Sequence, residues 1–138
     1  MPNDNRHSRG LAARRQVFDP AYLDRIAVEQ DAFDEPFRDF TIGTVWGGTW
    51  SGETLSKHQL ILVTLAVLAA QGRDEEFEMH LRNAVERVRV TPTELRELLM
   101  HLTFYCGAPT GAACFRIAKK CLKELGITAD NLSVSDGR

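Results

Sequence analysis

Among the side chains of this sequence, His80 is the one best suited to move a proton near neutral pH, because a free imidazole titrates at about 6.5. Glu76 precedes it by four residues, so on a helix the two share a face, and a carboxylate there orients the imidazole and raises its pKa. His80 also sits within an apolar stripe of Phe77, Leu81, Ala84 and Val88, a setting that equally describes a core histidine. Trp46 and Trp50, four apart with Gly47 and Gly48 between them, either wall a pocket or pack between subunits. Tyr105 offers a phenol donor to a substrate or a core aromatic with its hydroxyl at the rim. His58, next to Ser56 and Lys57 at a helix start, is either a substrate contact or a surface residue. His101, four residues after Glu97, reads as half of an exposed helical pair.

The chemistry these residues leave out is equally informative. Cys106, Cys114 and Cys121 contain no Cys-x-x-Cys pair, and their odd number points to reduced thiols. Cys114 and Cys121 are seven apart and can pack on one side of a helix. No zinc-ligand spacing, phosphate-binding glycine loop, dinucleotide fingerprint or Gly-x-Ser-x-Gly elbow is present. A formal charge of −2 and a pI near 6.1 give no electrostatic case for nucleic acid, although Arg6, Arg9, Arg14 and Arg15 make the first segment basic. The apolar run from Leu60 to Ala70 is about half of what a membrane helix needs, so no membrane partner is expected. With no signal-peptide pattern, a cytoplasmic location is expected.

The elements that must position His80 are helical. Thr91 and Glu94 form a capping box with Pro92 at the first helical position, and Leu95, Leu98, Leu99 and Leu102 give that helix one apolar face. It ends at Gly107-Ala108-Pro109, where the last helix begins, running to about Leu125 and stopped by Gly126. Gly111, Ala112 and Ala113 allow close approach to a neighbouring helix. Asp19-Pro20 starts a first helix to about Glu29, and Pro36 a second to about Val45, with Gly43, Gly47 and Gly48 leaving the tryptophans in or beside a flexible connection. Ser56 caps a long third helix to about Gln71, apolar nearly all round and therefore central or doubly covered. Asp74 caps a fourth, which carries His80. Val88-Arg89-Val90 reads as a linker rather than a strand.

The expected fold is all-α, one domain of about six helices over residues 19–126, with 43% hydrophobic residues sufficient for a core. Residues 1–18 are expected to be a flexible basic arm and 127–138 a flexible tail. The apolar stripes Phe115-Ala118-Leu122-Leu125 and Cys114-Ile117-Cys121 on one helix exceed what a small subunit buries, which predicts a homo-oligomer.

Taken in order, Trp46-Gly47, Trp50, Leu60 to Ala70, Gln71-Gly72-Arg73, Glu76, His80-Leu81-Arg82, Glu94-Leu95-Arg96-Glu97 and Tyr105-Cys106-Gly107-Ala108-Pro109 resemble the carboxymuconolactone decarboxylase family, with its alkyl hydroperoxidase D-like fold. The resemblance covers roughly Phe37 to Leu125. It implies an all-α subunit assembled as a trimer or hexamer. Arg73 and Glu76 stand where the redox branch carries its two cysteines, so thiol peroxidase chemistry has no dithiol here. The decarboxylase branch implies conversion of 4-carboxymuconolactone to the 3-oxoadipate enol-lactone in aromatic (protocatechuate) catabolism, without cofactor or metal. His80 would then be the catalytic residue, Trp46, Trp50, His58 and Tyr105 substrate contacts, and Glu76 a supporting carboxylate.

The chain departs from that pattern where a substrate anion would be met. The family's Trp-x-Arg-Pro-Gly-Leu is here Trp50-Ser51-Gly52-Glu53-Thr54-Leu55, and its Arg-Ser pair is His58-Gln59. Gly52 and His58 thus replace two arginines whose bidentate hydrogen bonds a carboxylate would use. The family's Asn-Gly turn before the capping box is also missing, with Glu86 to Val90 in that region. Two further readings therefore stand beside the pathway reaction. One is another cofactor-free decarboxylation, isomerisation or dehydration of a less anionic cyclic substrate, and the other a non-catalytic oligomeric binding or scaffold protein.

Overall fold

A computed structural model describes residues 2–128, with side chains from Asn5 onward. All regular structure among the described residues is helical, as expected. None of these helices is long and apolar enough to cross a membrane. The chain divides into two compact units, one ending at Leu60 and the other starting at Ile61.

The first unit overturns the expectation of a flexible arm. Residues Pro2–Val17 form helix α1, followed by α2 at Pro20–Val28 and α3 at Glu35–Phe40. The chain then runs without a break into a π-helix, Thr41–Trp50, so the segment expected to be a flexible connection around the tryptophans is ordered. The reason lies in small residues. A Cβ on Gly10 would fall 1.9 Å from the Ile42 carbonyl oxygen, and one on Gly47 would fall 2.2 Å from that of Arg6. The two backbones therefore touch, and only glycine permits it. Ala13 and Val17 extend the buried side of α1, and the Arg9 guanidinium donates to the Gly47 carbonyl at 3.2 Å. His7 approaches Asp39 of α3 at 3.6 Å. Asp19 caps α2 as expected, its carboxylate accepting from the Ala21 amide at 3.0 Å, with Pro20 opening the helix.

Helix α4, Lys57–Ala70, starts close to the expected place. It is less enclosed than its composition suggests. Ile61, Leu65 and Ala69 are buried on one stripe, while Val63 and Val67 stand largely in solvent.

The second unit holds α5 at Asp74–Glu86, α6 at Pro92–Cys106 and α7 at Ala108–Glu124. Asp74 is the first residue of α5 rather than its cap, and with Glu75 and Glu76 it places three carboxylates at the helix's positive end. The capping box of α6 is complete: the Glu94 amide donates to the Thr91 hydroxyl at 3.2 Å and the Thr91 amide to the Glu94 carboxylate at 3.1 Å. Gly107 turns the corner into α7 at φ +99°, a value few side chains tolerate. Gly111 lets α7 meet α6, since a Cβ there would overlap the Thr103 side chain. Phe77, Leu81 and Ala84 of α5 and Cys114, Ala118 and Cys121 of α7 are buried. The linker between α5 and α6 contains Arg89 at φ +69°, an energetically disfavoured conformation for a residue with a Cβ. Of the expected C-terminal tail, Ile127 and Thr128 are described and 129–138 lie outside the described residues.

Candidate functional site around His80

Helix α5 carries the candidate residues His80 and Glu76. His80 follows Phe77 by three residues and precedes Leu81, both fully buried, so its ring is drawn partly into the apolar interior of the second unit. Burial lowers the imidazole pKa below its ordinary value, because the charged form loses hydration. Glu76 pulls the other way, raising it as the sequence spacing suggested. Burial wins, which corrects the expected net direction.

Asn83, three residues beyond His80, was not singled out by sequence. It is 6% exposed, and its amide nitrogen is buried without a hydrogen-bond acceptor among the described residues. An amide held in this way normally costs about 1–3 kcal/mol, so it is a group with unused capacity to donate. The available signal was a polar residue embedded between the apolar positions Leu81 and Ala84. Helical spacing puts Asn83 on the same side of α5 as His80. Together they offer a proton-transfer group and a neutral donor for an oxygen that gains negative charge.

Arg82 on α5 serves a structural purpose. It reaches Glu78 at 3.4 Å and also pairs with Glu124 of α7, while Lys120 approaches Glu78 at 3.4 Å. This network ties α5 to α7. Burial pushes the Cys114 and Cys121 thiols each up to about 11, which favours their protonated form at neutral pH.

Of the remaining sequence candidates, Tyr105 belongs to the second unit and Trp46, Trp50 and His58 to the first. Tyr105 lies on the outer face of α6, 74% exposed, with its ring 5.1 Å from His101 and 5.2 Å from Phe104. The core-aromatic reading of Tyr105 is thereby excluded. Trp46 and Trp50 are buried in the first unit, stacked on each other at 4.8 Å and continued by Phe18 and Tyr22. Their environment within the unit is a packed aromatic row. His58 is half-buried in the first turn of α4. Gly52 and Glu53 lie exposed in the turn before that helix.

A histidine on a buried α5 face, a capped α6 and a glycine corner into α7 form one continuous stretch, and this stretch is matched by known proteins. The sequence profile of the carboxymuconolactone decarboxylase family matches residues 35–120, more than half of the chain. A 4-carboxymuconolactone decarboxylase of Acinetobacter baylyi is 35% identical over 133 residues, covering 96% of this chain and 98% of that one. A nitrosuccinic acid decarboxylase of Metarhizium robertsii is 27% identical over 127 residues, covering 89% and 88%. With the profile spanning the elements that build the His80 site and a relative aligned from end to end, the chain belongs to the carboxymuconolactone decarboxylase family.

Proposed function

We propose that this protein is a decarboxylase that needs no cofactor and acts on 4-carboxymuconolactone, giving the 3-oxoadipate enol-lactone in aromatic catabolism. The observation that carries the reading is the near-complete alignment, at 35% identity, with a protein of that name. The substrate supplies its own electron sink. As the C–C bond to the carboxylate breaks, its electron pair moves through the ring double bond to the lactone carbonyl. Carbon dioxide leaves and an oxyfuran-like dienolate forms. One proton then returns to ring carbon, completing the balance.

His80 is the proton source for that return, and the buried Asn83 amide stabilises the enolate oxygen as its charge grows. The partly buried face of α5 also leaves the departing carboxylate poorly hydrated, which favours release of a neutral gas. Glu76 supports the charged imidazole. The test follows absorbance of freshly generated lactone with purified protein and no added cofactor, comparing wild type with His80→Ala. Loss of about 10²- to 10⁴-fold in turnover is the expected result. A folded wild-type protein without turnover rules the reading out.

Gly52 and His58 favour a second reading within decarboxylase chemistry, a substrate with fewer carboxylates than the lactone. A relative is named for nitrosuccinic acid, which has no ring but carries two carboxylates, as the lactone does. In an acid with a nitro group on the carbon that loses carbon dioxide, that group would take the electron pair that the lactone carbonyl takes above. Carbon dioxide release from a panel of α-nitro and β-keto acids separates the two readings.

A further inference from the structure

We propose that the slot between α6 and α7 is a binding site for an elongated anionic amphiphile of the fatty-acid type, separate from the face that carries His80. The slot encloses about 500 Å³, within the range of small-molecule sites. Leu95 and Leu99 of α6 and Ala118 of α7 are buried at its floor, and Phe115, Leu122 and Ile127 continue the apolar surface. From Phe115 to Lys123 the wall rises through eight residues of helix, about 12 Å, so the slot is long enough for an extended chain.

Its rim decides the charge of the ligand. Arg116, Lys119 and Lys123 follow one another at spacings of three and four along α7, forming a single basic row, and Arg96 faces them from α6. All four are exposed, and none forms an ion pair or hydrogen bond among the described residues. Among the described residues, no acidic side chain lines the slot. Arg82 of the same unit, by contrast, is matched by Glu78 and Glu124. A carboxylate head accepts charge-assisted hydrogen bonds from the rim while its chain removes the floor from water. An amine of the same length would meet repulsion, and an alcohol would gain only the apolar part.

Titration calorimetry with octanoate, decanoate and dodecanoate below their micelle concentrations tests the site, with decylamine and decanol as controls. Saturable binding of one carboxylate per chain is expected, tightening about three- to fourfold per added methylene. Decanol should bind more weakly than decanoate and decylamine not at all. The double reversal Arg116→Glu/Lys119→Glu changes two exposed side chains, so it retains the fold by circular dichroism, and it should weaken decanoate at least tenfold. Absence of saturable binding overturns the proposal, as does affinity indifferent to head-group charge or to the double reversal. Light scattering is recorded alongside. Binding seen only when the protein is diluted to single chains assigns the slot to a second copy and likewise overturns it.

Discussion

The reactivity of His80 depends on two opposed influences, and their order sets the pH response. Burial lowers its pKa and Glu76 raises it, with burial the larger effect. In the free protein the imidazole is therefore neutral at pH 7. Under the proposed function, an anionic substrate beside it would add a second upward pull, so proton uptake would accompany binding and arm the group proposed to protonate carbon. It follows that kcat/KM should rise as pH falls toward an apparent pKa below 6.5, the free-enzyme value that this ratio reports. Glu76→Gln removes the upward pull and should move the limb to still lower pH. An unmoved profile, or an unmoved His80 resonance in an NMR titration of Glu76→Gln, would sink the coupling. The same depression acts on stability: the folded state disfavours the proton, so the contribution is complete above the unfolded pKa and is lost as pH falls through the folded one. Sequence spacing revealed His80 and Glu76 as partners, because i,i+4 geometry is local. It could not give the sign, which depends on how deeply the ring is buried, nor the role of Asn83, whose unmet donor becomes visible only once its surroundings are known.

At the scale of elements, close contact between backbones explains both what could be read and what was missed. The Thr91 capping box and the Gly107 corner rest on interactions within a few residues, and both are found where local chemistry puts them. Helix α1 was missed because its packing residues are small. Gly10 reads as a helix breaker until the π-helix carrying Gly47 is laid against it, and the four arginines conceal the short stripe of Ala13 and Val17. The α6–α7 contact uses the same device at Gly111, and the sequence did flag that position as one of close approach. An added Cβ would lie 2.0 Å from the Thr103 hydroxyl, which already donates to the Leu99 carbonyl at 2.6 Å. Gly111→Ala is expected to destabilise the protein by about 1–3 kcal/mol despite the better helix propensity of alanine. Thr103→Ala in the same chain should recover part of the loss, because the two sites share one contact. Urea unfolding of the single and double variants measures both effects, and an unchanged midpoint in Gly111→Ala would contradict the packing described.

For the molecule as a whole, the distribution of exposed apolar groups argues for association. Phe33 is 95% exposed and Phe104 83%, and each has exposed apolar company, Phe37 and Phe40 in the first unit, Met100 and Tyr105 in the second. Large aromatics left in water in this number are a reason to expect association. The sequence pointed to the same outcome through the two stripes on the last helix, though by a different route. One of those stripes, Cys114 and Cys121, is buried inside the subunit, and the other, Phe115, Ala118 and Leu122, lines the basic slot. Exposed apolar area lies also at Val28 of α2, on α3 and on α6, and at Val63 and Val67 of α4, where sequence patterns alone do not separate an inner face from one meeting a partner. We expect a homo-oligomer at assay concentrations. Phe104→Ser and Phe37→Ser remove one exposed ring from each region, so neither should perturb the fold, and a ring at the centre of an interface contributes enough that its loss weakens association about tenfold or more. Light scattering over a dilution series measures this directly. A single-chain mass for the wild type would remove the oligomer from the account, whereas dissociation produced by one substitution and not the other would identify which aromatic face the neighbouring chain covers.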